Sequence, residues 1–114
     1  MFHMTLIMDN QKRIGQIRKY MIARQNGDLD ACLSILSDDF SFYSQKDGSY
    51  NGKQEFLQYL NKNPYKGKWG EPYFDKGRYR VDGTVKILMI PINVKIEFDF
   101  DQNDKVCRAS VTKR

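Results

Sequence analysis

The chain has 114 residues, a formal net charge of +5, 40% hydrophobic and 29% charged residues. That length suits one compact domain and excludes two; folding buries roughly 65% of the surface of the unfolded chain, enough for a core without disulfides or a structural metal. Seven Tyr, seven Phe and one Trp supply apolar area that a disordered chain lacks, so a globular domain is expected.

Residues 1–8 read as an apolar N-terminal tail (Phe2, Leu6, Ile7) without the basic start or small-residue cleavage site of a signal peptide. The longest apolar run, Ile87 to Ile92, falls far below the ~20 residues that span a bilayer, so no membrane association is expected. Cys32 and Cys107 form no C-x-x-C pair, and His3 is the only histidine. Neither a zinc site nor a redox motif is spelled. Buried, inert thiols in a reducing, cytoplasmic setting are the simplest expectation. With no glycine-rich phosphate loop and no His/Cys cluster, no metal, nucleotide or flavin cofactor is expected.

Residues 9–114 read as the single domain. From Asp9 to Asn26, Ile14, Ile17 and Met21 recur at helical spacing between Lys12, Arg13, Arg18, Lys19 and Arg24, predicting an amphipathic helix with a basic outer face. Asn26-Gly27 supplies a left-handed stop and Asp28 the N-cap of a second helix through Leu36. Any two packed helices with a short turn give this hairpin, so it does not by itself indicate DNA binding. Asp38-Asp39 is expected to end that helix, and Phe40, Phe42 and Ser44 then alternate as a first strand. Lys46 to Ser49 reads as a turn. Asn51 and Gln54 form a capping-box pattern for a third helix carrying Phe56, Leu57, Tyr59 and Leu60, which Asn63-Pro64 stops. Tyr65 to Trp69 is a loop.

Beyond Gly70 the period becomes two. Tyr73 to Val81 is predicted as one strand, Asp82-Gly83 as a hairpin turn and Thr84 to Ile90 as its partner, with Pro91 as a break. Val94, Ile96, Phe98 and Phe100 alternate with Lys95, Glu97, Asp99 and Asp101, and Cys107, Ala109 and Val111 carry the last strand. Helices followed by antiparallel strands give an α+β domain with helices on one face of a curved sheet.

The run Tyr20-x-x-Ala23-x-x-x-Gly27-Asp28-Leu29-Asp30, then Asp38-Asp39-Phe40, Asp47-Gly48-x-Tyr50-x-Gly52, Phe56 and Phe98-Asp99-Phe100-Asp101-x-x-Asp104-Lys105-Val106 resembles the nuclear transport factor 2-like superfamily, in its SnoaL-like and ketosteroid-isomerase branch. The resemblance covers about residues 11 to 113, and its order and spacing carry more weight than any one motif. It implies a cone-shaped roll, in which three N-terminal helices pack on a strongly curved, mostly antiparallel sheet around an apolar pocket.

Ketosteroid isomerase chemistry requires a carboxylate base and an oxyanion hole made by a tyrosine and a protonated aspartic acid. The resemblance carries the tyrosine onto Tyr20, but puts Ser44 at the position of the base and Ile96 at that of the second donor. A serine hydroxyl is no base near neutral pH. Glu97, Asp99 and Asp101 belong to the opposite face from Ile96 and Phe98, while Asp47 reads as a backbone-capping turn residue. No Asp-Arg-Asp set of the epoxide-hydrolase kind can be assembled on inward-facing positions.

The leading expectation is therefore a pocket for a small hydrophobic molecule, lined by Phe42, Ser44, Phe56, Tyr59, Ile96, Phe98 and Ala109. Tyr20 is its polar anchor and the best candidate for a catalytic residue, with Ser44 a weak one, in an isomerase- or cyclase-like reaction on a polarised carbonyl. The alternative is a non-enzymatic dimerisation or protein-interaction module whose aromatics fill the interior. A third reading, single-stranded nucleic-acid binding, rests on Lys62, Lys66, Lys68, Lys76, Arg78 and Arg80 interleaved with Tyr65, Trp69, Tyr73, Phe74 and Tyr79. Glu71 and Asp75 interrupt that segment and no RNA-recognition or KH motif accompanies it, so nucleic acid is disfavoured. Ile90, Pro91 and Ile92 make an apolar hairpin tip that either meets another chain or covers the mouth of its own pocket. The resemblance implies pairing through the sheet, and a homodimer is expected.

Overall fold

The computed structural model describes residues 2–114, with side chains from Asn10 onward. Helix α1 (Phe2–Asn26) begins seven residues before the predicted start at Asp9, taking in most of the segment read as a tail. No Pro or Gly precedes Gly15, and each added residue extends the helix by one backbone hydrogen bond without a new nucleation cost. Ile17, Tyr20 and Ala23 are buried at three-residue spacing. Gly27, at φ +72°, ends the helix, and the Asp28 side chain accepts the Ala31 N–H at 3.2 Å to start α2 (Leu29–Ser34).

The second helix is shorter than predicted. Leu36 and Asp38-Asp39 lie in strand β1 (Leu36–Ser44), because Leu36 pairs in parallel with Val106, whose N–H donates to the Ile35 carbonyl at 2.9 Å. A long-range sheet bond thus overrides local helical spacing. Gly48 and Ser49, read as a turn, begin β2 (Gly48–Asn51), paired antiparallel with β1. Helix α3 (Gly52–Lys62) matches expectation, but the Asn51 side chain makes no cap bond; instead the Asn51 N–H donates to Glu55 Oε2 at 3.1 Å.

The strands β3 (Lys68–Trp69), β4 (Tyr73–Asp75), β5 (Arg78–Ile87), β6 (Ile90–Phe100) and β7 (Val106–Lys113) complete the sheet. Its order is β2-β1-β7-β6-β5-β3, with β4 also paired to β5. All pairings are antiparallel except β1 with β7. Three predicted features of this half are corrected. The strand expected from Tyr73 to Val81 breaks at Lys76-Gly77, where both φ values are positive. Asp82-Gly83 is no turn but the middle of β5, opposite Val94 and Lys95. The hairpin turn is Leu88-Met89, at φ +52° and +71°, and Pro91 sits inside β6. Pro91 tolerates this position because its nitrogen faces away from β5, past the end of β7.

Gly83 stays in the strand for a packing reason: a β-carbon there would stand 2.6 Å from Trp69 Cδ2. The indole lies directly on the backbone. β3 replaces part of the predicted loop as a consequence, with Trp69 paired to Gly83.

The core joins the inner face of the sheet (Phe40, Phe42, Val81, Ile96, Phe98, Val106, Ala109) to Ile17, Tyr20, Cys32, Phe56 and Leu60 of the helices. Cys32 is fully buried, and that burial pushes its thiol up to about 11. The outer sheet face carries ion pairs instead, including Arg78 with Asp99 at 2.8 Å and Arg80 with Asp82 at 2.7 Å. The hairpin tip divides: Leu88 is 91% and Met89 82% exposed, whereas Ile92 turns toward the interior.

Candidate functional site

Between the helices and the inner face of the sheet lies a cavity of about 480 Å³. The period-two rule orients one wall: register places Phe42 beside Ala109 and Ala109 beside Phe98, while Ser44 and Ile96 flank Val111. Tyr20, Met21 and Arg24 of α1 and Phe56, Tyr59 and Leu60 of α3 form the facing wall. The structure brings together all eight residues anticipated for a pocket, Tyr20, Phe42, Ser44, Phe56, Tyr59, Ile96, Phe98 and Ala109, on this one cavity.

Aromatic packing shapes the interior. The Phe42 ring lies 5.0 Å from that of Phe56 and 4.9 Å from that of Tyr59, and Tyr20 meets Phe98 edge-on at 6.0 Å. These tilted and edge-on contacts favour the ring quadrupoles and hold the wall rigid.

A few polar groups are set into this lining. The Tyr59 hydroxyl donates to Asp47 Oδ2 at 2.9 Å, and the Asp47 N–H donates to Ser44 Oγ at 3.1 Å. Tyr50 holds the same turn by donating its hydroxyl to the Asp47 carbonyl at 3.0 Å. Ser44 is thereby committed to the turn, and no histidine lies among the lining residues to activate it. Asp47, read from sequence as a capping residue, presents its carboxylate to the cavity. Among the described residues it is the sole carboxylate in the lining.

The sequence groups Arg24 with the basic outer face of α1, yet it lines the cavity and donates from Nη2 to the Asn63 carbonyl at 3.0 Å. The signal was present: Arg24 stands four residues after Tyr20, one helical turn along the same face. Burial raises the Tyr20 phenol well above its ordinary pKa, with the Arg24 charge pulling the other way. Tyr59 is raised likewise, by burial first and then by its bond to Asp47. Both phenols are therefore protonated donors near neutral pH.

Several groups of the basic aromatic segment 62–80 are committed within the domain, although Phe74 is exposed. Tyr79 is buried, Trp69 packs on Gly83, and Arg78 and Arg80 are occupied by carboxylates.

No family model and no curated protein sequence matches the chain. Solved structures do match. A proposed ketosteroid isomerase from Kribbella flavida aligns with a TM-score of 0.77 over 93% of this chain and 80% of its own, at 13% identity. The chain has the nuclear transport factor 2-like fold. A SnoaL-like protein of unknown function from Burkholderia thailandensis aligns at 0.73, covering 91% of this chain and 97% of its own at 19% identity. A nuclear transport factor 2-like protein of unknown function from Burkholderia pseudomallei aligns at 0.74, covering 90% of each chain at 16% identity. The α+β cone, with three helices on a mostly antiparallel sheet, is the architecture expected from sequence.

Proposed function

We propose that the chain binds a small hydrophobic molecule in the cone cavity, oriented by a hydrogen bond from Tyr20 to an acceptor such as a carbonyl oxygen. The open volume of about 480 Å³ carries this reading, because it falls within the ordinary range of small-molecule sites. An interior filled by its own aromatics, as the interaction-module reading requires, would leave no such space. In the catalytic form of the proposal, the reaction is of isomerase or cyclase type. The protonated Tyr20 phenol stabilises negative charge developing on the carbonyl oxygen, and Asp47 is the carboxylate at hand to move a proton.

Equilibrium dialysis with 2-acetylnaphthalene and 2-ethylnaphthalene tests the orienting bond. The wild-type chain should favour the ketone by about five- to tenfold, the worth of one hydrogen bond, and Tyr20→Phe should abolish the preference. Equal binding of the two compounds by the wild-type chain removes Tyr20 as anchor.

A second reading concerns assembly. We infer that two copies pair, on the support of the exposed Leu88-Met89-Ile90 tip, an apolar patch with no partner among the described residues.

A further inference from the structure

The outer sheet face and the cavity mouth treat charge differently. On the outer face cations meet carboxylates: Arg78 with Asp99 at 2.8 Å, Arg80 with Asp82 at 2.7 Å, Lys95 with Glu97 at 3.7 Å. At the mouth the cations outnumber the carboxylates. Arg24, Lys46, Lys66 and Lys113 border the cavity from four separate elements, against the single carboxylate of Asp47. Lys46 reaches that carboxylate only at 3.9 Å, and Asp47 is already engaged by Tyr59. Among the described residues, Lys66 and Lys113 have no carboxylate within 4.0 Å. Lys86 also touches the rim, but strand alternation puts its side chain on the outer face.

Backbone contacts tie the segments that carry these lysines to the rest of the domain. The Lys113 N–H donates to Gln45 Oε1 at 2.9 Å, tying the last strand to the turn that carries Lys46. Gly67, at φ +88°, packs so closely on β5 that a β-carbon would stand 2.6 Å from the Thr84 carbonyl oxygen, which seats the backbone next to Lys66 against the sheet. An opening bordered by more cations than carboxylates presents a positive potential that favours an anion there.

We propose that the ligand of this cavity is an anionic amphiphile, whose apolar body fills the aromatic interior and whose carboxylate or comparable anionic group rests at the rim among Lys46, Lys66 and Lys113. The proposal rests on the cavity being a binding site and adds the charge of what it binds. It also assigns the basic balance of the chain a local task at one opening.

The test uses decanoate, decanol and decyltrimethylammonium below their aggregation concentrations, with binding read from the fluorescence of Trp69, the only tryptophan and part of the cavity lining. Decanoate should bind at least fivefold more tightly than decanol at low ionic strength, with decyltrimethylammonium weakest, and salt should shrink the difference. Lys46→Gln/Lys66→Gln/Lys113→Gln should erase the preference, bringing decanoate to within about twofold of the same variant's decanol affinity. A control that removes the same charge elsewhere, Lys19→Gln/Lys62→Gln/Lys76→Gln, should retain it. Equal affinity for decanoate and decanol, or equal loss in both triple variants, overturns the anionic assignment and leaves the apolar cavity standing. Failure of all three ligands to bind overturns the cavity reading itself. Co-sedimentation with phosphatidylglycerol vesicles, without saturable decanoate binding, would reassign the rim to a membrane surface and overturn the proposal.

Discussion

Asp104 shows how one residue can serve a turn and a helix together. It stands at φ +59° in the turn between β6 and β7, a conformation that Asp and Asn tolerate better than other side chains. Its carboxylate accepts from Arg13 at 2.8 Å and from Lys12 at 3.2 Å, which clamps α1 to the end of the sheet. Those bonds from Arg13 and Lys12 hold its pKa below the ordinary 3.8. The folded value is depressed, so the clamp is fully present above pH 3.8 and is lost as the pH falls through the lower folded value. Asp104→Asn keeps the backbone conformation and removes the charge. It should cost about 0.5–1 kcal/mol at pH 7 in urea unfolding, with the difference from wild type shrinking as the pH falls through the depressed folded value and gone once Asp104 is protonated in the folded state. A difference that does not shrink as the pH is lowered would place the stabilisation elsewhere than in the ion pairs.

Among the elements, the β5–β6 hairpin separates what a sequence discloses from what it conceals. Alternation at Val94, Ile96 and Phe98 and at Phe42 and Ser44 was legible, because strand periodicity states which face is apolar without reference to anything distant. Tyr20 was legible only through family resemblance. The turn was misplaced because Asp82-Gly83 carries a strong local turn signal, whereas the reason Gly83 belongs in a strand is an indole that sequence cannot seat there. Asp47 and Arg24 were concealed similarly, since the partners that aim them, Tyr59 and Asn63, come from another helix or its end. Gly83→Ala should cost roughly 1–3 kcal/mol through overpacking and alter the Trp69 emission; unchanged emission and stability would contradict the close approach. At the true turn, Leu88 and Met89 occupy positions that favour Asn and Gly. In denaturant unfolding at a concentration dilute enough to keep both chains monomeric, Leu88→Asn/Met89→Gly should therefore raise stability by about 1 kcal/mol, and a loss of stability would mean that the native pair is held by contacts within the chain beyond the turn.

For the whole molecule, that same double variant separates folding from assembly. Sedimentation velocity should show the wild-type chain as a dimer at micromolar concentration and the variant shifted toward monomer. A monomeric wild type would remove the tip as an interface. The parallel seam between β1 and β7 has a different consequence, in time rather than in space. Phe42 pairs with Ala109 and Ser44 with Val111, so the two strands that close the cavity wall come from opposite ends of the domain. Most of the chain must be drawn into a loop before these contacts can form, which places the seam among the slow, non-local steps of folding. During synthesis the helices and β5–β6 hairpin can organise early, but the chamber has no finished wall until residue 113 has emerged. Until then, its aromatic lining faces solvent and whatever else is near the growing chain.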